Sequence, residues 1–362
     1  MKRLSREHLS KIKTYKPGKP IEELKRELGL RDVIKLASNE NALGPSSRVI
    51  SGIARAVREL NRYPDSNCYY LKREVAKRFR LKPSNFIFGN GSDEVITFAM
   101  RAFLKKGEEA IIAKPTFLIY DIVAKVENVN VKHVPLKEYR YDLKSIKRAV
   151  TKKTKIIFIS NPDNPTGTYV TKDEVEGLMS GLRRDIILFF DEAYYEFAKD
   201  IKDYPDTLRY LRKGRNIIIT RSFSKIYSLA GLRIGYGIAS EGMIESMNKV
   251  REPFNVNSLA QEAALAALKD DRFVMRTKRL VGEGKRFLYN ELSLMEISYI
   301  PSVTNFILIN IGRDAERVYN KLLKKGVIVR NMKAWGLDGF LRVTIGTMRE
   351  NRIFIEALKE AL

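Results

Sequence analysis

Cysteine, histidine, glutamine and tryptophan are nearly missing from this chain of 362 residues, which carries one Cys, two His, one Gln and one Trp. A single thiol, Cys68, excludes any disulfide within the chain and fits a reducing cytoplasm. His8 and His133 stand far apart without metal-ligand spacing, which argues against a zinc enzyme or a Ser-His-Asp hydrolase, so no metal is expected. The start, Met1-Lys-Arg-Leu-Ser-Arg-Glu-His8, lacks an apolar signal core. No later apolar run approaches the roughly 18 residues of a membrane span, and a soluble, cytoplasmic protein is expected. Acidic residues are also short, with Asp+Glu 43 against Lys+Arg 67 and a net charge of +24. The basic residues are spread along the chain and mixed with acids, the pattern of a solvated surface rather than a nucleic-acid stripe, while anionic small substrates remain natural partners. The scarcity of Gln and Cys beside 30% charged residues leans towards a thermophilic source.

With 44% apolar content the chain can bury a large core. Its apolar runs are Phe86-Ile-Phe88, Glu109-Ala-Ile-Ile-Ala113, Asn130-Val-Lys-His-Val-Pro135, Lys155-Ile-Ile-Phe-Ile-Ser160, Asp185-Ile-Ile-Leu-Phe-Phe190, Asn216-Ile-Ile-Ile-Thr220 and Arg233-Ile-Gly-Tyr-Gly-Ile-Ala239. Such short continuous runs separated by helical periodicity predict a buried, mostly parallel sheet covered by helices. Pro20 and Gly29 bracket a short amphipathic helix within a basic leader, which reads as an arm that packs on something else. From about Phe254 the pattern changes to helices at 257–268, 272–292, 314–325 and 349–362 alternating with strand-like segments at 302–310, 327–330 and 340–345, a smaller α+β unit.

The polar residues at the ends of the buried runs are the candidates for chemistry, because open α/β sheets hold ligands at the carboxyl ends of their strands. Lys225, in Ser222-Phe-Ser-Lys225, can serve as a Schiff-base nucleophile, with Ser222, Ser224 and Arg233 supplying hydroxyls and positive charge for a phosphate. Asp191 ends an otherwise apolar run and is expected to hold a cationic partner; Tyr194 follows three residues on. Gly89-Asn-Gly-Ser-Asp-Glu94 joins a strand to a helix and offers the Ser92 and Asp93 amides to a phosphate, although either side chain would equally make an ordinary cap. It is not a Walker motif, since no Gly-Lys-Ser/Thr follows. Phe117 can stack on a flat ligand or belong to the core. Asn161-Pro-Asp-Asn-Pro-Thr-Gly167 is a stiff loop that holds the Asn164 amide in place. Arg330 and Arg342 lie in strand-like segments, either as structural ion pairs or as a clamp for an anionic substrate.

Taken together, Asn164-Pro-Thr-Gly167, Asp191-Glu-Ala-Tyr194, Ser222-x-Ser-Lys225 and Arg233 resemble the fold-type-I pyridoxal-phosphate aminotransferases. Ser38-Asn-Glu-Asn-x-Leu-Gly-Pro45, Arg62-Tyr-Pro-Asp65, Gly89–Glu94, Pro115-Thr-Phe117 and Leu341-Arg-Val-Thr-Ile-Gly-Thr347 look like their histidinol-phosphate aminotransferase branch. The resemblance implies pyridoxal 5'-phosphate as cofactor, Lys225 as its attachment point and proton carrier, Asp191 as partner of its ring nitrogen, and Tyr194 and Asn164 on its ring hydroxyl. Phe117 would stack on the ring, where relatives often have Tyr. Ser92, Asp93, Ser222, Ser224 and Arg233 would hold the phosphate, with Tyr63 reaching across from a second subunit of an obligate homodimer. Arg342 and Arg330 would receive the anionic ends of histidinol phosphate and of glutamate or 2-oxoglutarate. Tyr15 would close the partner's site, and Glu40 and Asn41 belong to the same rim, Asn41 counted among the substrate contacts. The implied organisation is an N-terminal arm at 1–30, a large cofactor-binding domain at 46–255 and a small domain made of 31–45 and 256–362.

Two neighbouring activities share that cofactor: amino transfer from aromatic or other amino acids, and decarboxylation of threonine phosphate. A reading of another class, a basic non-enzymatic binder of nucleic acid or anionic surfaces, rests on the net charge alone.

Overall fold

The computed structural model describes residues 4, 6–12, 14 and 17–362. Its strands are β1 (Ile34–Lys35), β2 (Phe86–Gly89), β3 (Glu109–Lys114), β4 (Asn130–Pro135), β5 (Thr154–Ser160), β6 (Ile187–Asp191), β7 (Ile217–Ser222), β8 (Gly235–Ile238), β9 (Tyr299–Ile300), β10 (Phe306–Asn310), β11 (Val327–Ile328), β12 (Arg330–Asn331) and β13 (Phe340–Thr344). Seven of them form the central sheet in the order β2-β8-β7-β6-β5-β3-β4. The pairs from β7 through β6, β5 and β3 to β4 are parallel, and only β8 runs against its neighbours. This is the helix-covered, mostly parallel α/β architecture expected from the apolar runs.

Alternate residues of the central strands enter two different apolar clusters, because successive side chains of a strand leave opposite faces. Ile157, Ile159, Leu188, Phe190, Ile217 and Ile219 join one cluster. Ile156, Phe158, Ile187, Phe189 and Ile218 join the other. A sheet buried on both faces needs apolar residues at every position, which is why these strands read as unbroken runs.

A second, four-stranded antiparallel sheet has the order β12-β13-β10-β9. It packs through Ile307, Ile309, Leu341 and Val343 on Leu288, Phe354 and Leu358. Those three come from the helices Asp271–Leu294 and Met348–Ala361. The stretch 327–330, expected to be one strand, is divided: β11 pairs with β1 in a parallel two-stranded ribbon, whereas Arg330 pairs with Arg342. The helix Ile21–Leu28 ends at Gly29 in the left-handed conformation and buries Leu24 with Ala37 and Ile328. The arm lies on its own chain at one further point, where His8 Nε2 meets the Val126 carbonyl at 3.1 Å. Among the described residues no helix is long and apolar enough to cross a membrane.

Candidate active site

Parallel pairing brings the carboxyl ends of β3, β5, β6 and β7 to one edge of the central sheet, with Ser160 opposite Asp191 and Asp191 opposite Thr220. β2 delivers its end to the same edge, since Gly89 and Ser222 both face Gly235, the first residue of β8. There the chain encloses a cavity of about 330 Å³. Its walls carry Ser92, Asp93, Phe117, Asn164, Asp191, Tyr194, Ser222, Ser224, Lys225 and Arg233, all singled out in the sequence. A recess of about 110 Å³ adjoins it, sharing Phe117, Asn164, Tyr194 and Lys225 and adding Arg330, Arg342 and Trp335. A larger cavity of about 530 Å³ meets Phe117 and Arg330 from another side but touches neither Lys225 nor Asp191, so the chemistry belongs to the smaller one.

Lys225 is half-buried, and its Nζ donates to the Ser38 carbonyl at 3.2 Å. Desolvation first, then the positive charge of Arg342, brings its pKa down to about 8. About half of an amine so placed is the neutral nucleophile at pH 8, far more than for an ordinary lysine. Within its own chain Asp191 accepts from the Tyr120 hydroxyl at Oδ2, 2.6 Å away, and from the Ala193 amide at Oδ1, 3.1 Å away, and no cation among the described residues pairs with it. Burial pushes its pKa up to about 6, and the Asp93 and Glu192 carboxylates add to the rise. A buried carboxylate of this kind is suited to a protonated ring nitrogen.

The helix Ser92–Phe103 begins at Gly91, with φ of 78° and no side-chain cap. Neither Ser92 nor Asp93 caps it, so the ordinary-cap reading of that turn does not hold. Glu94 instead braces the turn, accepting from the Asn90 amide at 2.7 Å and from Asn255 Nδ2 at 2.6 Å. Arg233 approaches so closely that a Cβ on Gly91 would lie 2.6 Å from its Nη2. Arg233 was expected within a strand but occupies a left-handed turn with φ of 54°, because pairing of β8 begins only at Gly235. Its guanidinium is exposed and donates to Asp93 Oδ2 at 3.2 Å. Amides left without a side-chain cap at a helix start, two serines and a guanidinium make a seat for a phosphate.

Tyr194 is buried, and its hydroxyl accepts from Asn39 Nδ2 at 2.8 Å. Asn39, with φ of 56°, is pinned by Thr344, which accepts from its backbone amide at 2.9 Å, and by Asn305, which donates to its carbonyl at 3.0 Å. Asn39, Thr344 and Tyr120 were given no role by the sequence, although Asn39 and Thr344 lie within the segments Ser38–Pro45 and Leu341–Thr347 that carry the family resemblance. Arg342 bonds the Asn164 side chain and the Ala37 carbonyl, the latter at 2.9 Å. Arg330 and Arg342 are both buried, with the Trp335 ring under both guanidinium carbons at 5.1 and 6.0 Å.

Asn41 does not line the cavity of its own chain; its Nδ2 donates to the Ile226 carbonyl and Thr277 Oγ1, both at 3.1 Å, and braces the loop. Its neighbour Glu40 lines the wall and pairs with Lys35 at 3.0 Å. Tyr63 does not reach the cavity of its own chain; it is 83% exposed and stacks on Phe254 at 4.8 Å. Tyr15 lies outside the described residues.

Residues 31–358 match the aminotransferase class I and II family model. The histidinol-phosphate aminotransferase of Moorella thermoacetica is 46% identical over 358 residues, 99% of this chain and 92% of that one. Histidinol-phosphate aminotransferase 2 of Carboxydothermus hydrogenoformans is 45% identical over 357 residues and 99% of both chains. The fold is shared with the crystal structure of the Sinorhizobium meliloti histidinol-phosphate aminotransferase in complex with pyridoxal 5'-phosphate, at a TM-score of 0.91 and 24% identity over 100% of this chain and 98% of that chain. A lysine and an aspartate brought to one sheet edge by β7 and β6, within a match over nearly the whole length, place this chain in the class I and II aminotransferase family.

Proposed function

We propose that the chain is a pyridoxal-phosphate-dependent histidinol-phosphate aminotransferase, moving an amino group between L-histidinol phosphate and 2-oxoglutarate by a ping-pong route. The observation that carries the reading is the meeting, in one cavity, of the Lys225 amine and the buried Asp191 carboxylate, which no cation among the described residues neutralises, beside a recess lined by Arg330 and Arg342. Relatives that are 44–46% identical over 99% of the chain are histidinol-phosphate aminotransferases, which favours that substrate over aromatic amino acids or threonine phosphate.

When bound, the cofactor supplies an aldehyde that takes up the amino group and a conjugated ring that accepts the electron pair left when the donor carbon loses its proton. Lys225 Nζ is the amine that would hold the cofactor and, when free, would carry the proton to and from the donor carbon. Asp191 would keep the proton on the ring nitrogen. Tyr194 and Asn164 would bond the ring hydroxyl oxygen: Asn39 occupies an acceptor site of the Tyr194 hydroxyl and leaves its O–H to donate. Phe117 would stack on the ring. The Ser92 and Asp93 amides with Ser222, Ser224 and Arg233 would hold the phosphate, and Arg330 and Arg342 would take the anionic ends of the two substrates in turn.

The same reading includes a homodimer in which Tyr63 of one subunit reaches the other's cavity; its exposed ring beside the exposed Phe254 supports this. It also includes a cytoplasmic setting in a thermophile, supported by the lone buried Cys68 and the single glutamine, and Tyr15 as a residue closing the partner's site. The division into an arm at 1–30, a cofactor-binding domain at 46–255 and a small domain at 31–45 plus 256–362 accords with a seven-stranded sheet confined to 86–238 and a four-stranded one confined to 299–344.

The test is the visible spectrum of the purified, cofactor-loaded protein mixed with histidinol phosphate, followed by assay of glutamate after addition of 2-oxoglutarate. A spectral shift reversed by 2-oxoglutarate, with glutamate formed, is expected. Release of CO₂ from threonine phosphate, or turnover of aromatic amino acids alone, would assign a different substrate.

A further inference from the structure

Asp163 lies in the stiff loop 161–167 but took no part in the chemistry above. It is 1% exposed, and among the described residues no cation pairs with it. Its Oδ2 accepts from the Thr166 hydroxyl at 2.8 Å within its own loop, whereas its Oδ1 accepts from the Thr116 hydroxyl at 2.7 Å, 47 residues away. Thr116 immediately precedes Phe117, and Asp163 immediately precedes Asn164. The bond between them therefore ties the loop that presents the stacking ring to the loop that presents the amide.

The tie is extended by a directed chain. With Asp163 ionised, which its burial delays to about pH 7, the Thr116 hydroxyl donates to it and accepts from the Tyr141 hydroxyl at 2.7 Å, and Tyr141 itself accepts from the Ser160 amide at 3.2 Å. Every link is buried. Bonds aligned in this way polarise one another, so loss of one weakens the rest. The chain starts at Ser160, directly opposite Asp191 in the strand register, and ends beside Asn164.

We propose that Asp163 is a positioning residue that, through Thr116, holds Phe117 and Asn164 at a fixed separation and so sets the orientation of a ring that the first would stack on and the second would bond at its hydroxyl. Neither Asp163 nor Thr116 is given contact with substrate; they act through their neighbours. The inference rests on the cofactor reading of the cavity, and it assigns to this chain a support that the apolar pattern of the sequence does not display.

The experiment compares holoprotein of the wild type with Thr116→Val, Thr116→Ser and Asp163→Asn, reading the visible circular dichroism of bound pyridoxal phosphate, the rate of its loss on dilution, and the melting temperature. A ring held in one orientation gives a strong dichroic band; a loosened one does not. Thr116→Val, which keeps the shape and deletes the donor, is expected to lose at least about half of the band and to release cofactor about tenfold faster, the scale of one hydrogen bond to a charged group. Thr116→Ser restores the donor and is expected to match the wild type on both readouts. If Asp163→Asn does not fold, the valine and serine pair at position 116 decides alone. A valine variant whose band and release rate equal those of the wild type overturns the proposal, as does one that falls only in melting temperature. Failure of the wild type itself to take up pyridoxal phosphate would instead overturn the cofactor reading.

Discussion

Arg330 faces Arg342 directly across the antiparallel pair β12–β13, and both buried guanidinium groups line the recess beside the cavity over the ring of Trp335. Like charges opposite one another in a sheet repel, and a doubly charged anion between them relieves that repulsion. Arg330→Ala and Arg342→Ala are each expected to raise KM for histidinol phosphate and for 2-oxoglutarate by about tenfold or more, the scale of a charge-assisted hydrogen bond. Arg342 also contributes to the depressed Lys225 pKa. Arg342→Met should therefore move the alkaline rise of cofactor uptake above about pH 8, while Arg330→Met should leave it in place; a stopped-flow pH series distinguishes the two.

Lys225 and Asp191 should shape the stability of the cofactor-free protein with opposite signs. Asp191 has a folded pKa of about 6, above its ordinary value of 3.8, so the folded state holds that proton more tightly and stability falls as pH rises from about 4 through 6. Lys225 has a folded pKa of about 8, below its ordinary 10.5, so the unfolded chain binds more protons between those values and stability rises with pH across that window. Asp191→Asn should gain stability relative to wild type by about 1–3 kcal/mol at pH 7 and by much less at pH 4, at roughly 1.4 kcal/mol per pKa unit. Urea denaturation at the two pH values measures the difference.

Tyr120 donates to Asp191 at 2.6 Å, packs on Phe158 at 5.0 Å and meets the edge of Phe117 at 5.7 Å. Deleting the hydroxyl removes a bond that favours the ionised carboxylate, so Tyr120→Phe should push the Asp191 pKa above about 6. Cofactor affinity should fall by about tenfold at pH 7, with the loss shrinking as pH rises and the carboxylate ionises again. Equilibrium titration with pyridoxal phosphate between pH 6 and 9 gives the slope.

Gly235 sits where three backbones meet: a Cβ there would lie 2.6 Å from the Ser92 amide nitrogen and 3.0 Å from the Arg221 carbonyl oxygen. Neither neighbour is the end of a flexible side chain, so one strand end must shift. Gly235→Ala is expected to cost about 1–3 kcal/mol and to weaken inorganic phosphate binding in the cofactor-free protein, because the displaced atom is an amide of the phosphate seat. Gly282, whose added Cβ meets only the tip of Arg286 at 3.9 Å, is the control: alanine there should leave phosphate binding unchanged.

The architecture was legible because parallel strands buried on both faces must be apolar throughout, and the few polar residues at their ends stand out against that background. Lys225 and Asp191 were visible for this reason. Tyr120, Asn39 and Thr344 were not, because their partners lie 71, 155 and 305 residues away and no local pattern records a contact of that range. The bonds of Asn41 to Ile226 and Thr277, 185 and 236 residues away, were hidden for the same reason. Arg233 continued an apolar alternation that suggested a strand, and periodicity carries no information about a left-handed φ. The split of 327–330 between two sheets was equally hidden, since both halves are buried.

The reversed direction of β8 gives the loop between Ser222 and Gly235 the character of a ruler. Both of its ends are sewn into neighbouring strands at one register, and Phe223 reinforces the closure by donating its amide to Ile234 at 3.1 Å and lending its carbonyl to Leu229 at 3.0 Å. The span from Lys225 to Arg233 is thereby tied to the number of residues in the loop. A relative that lengthened or shortened this segment by a single residue would have to abandon either the covalent anchor or the anion clasp, so its length should be as invariant in evolution as any side chain it carries.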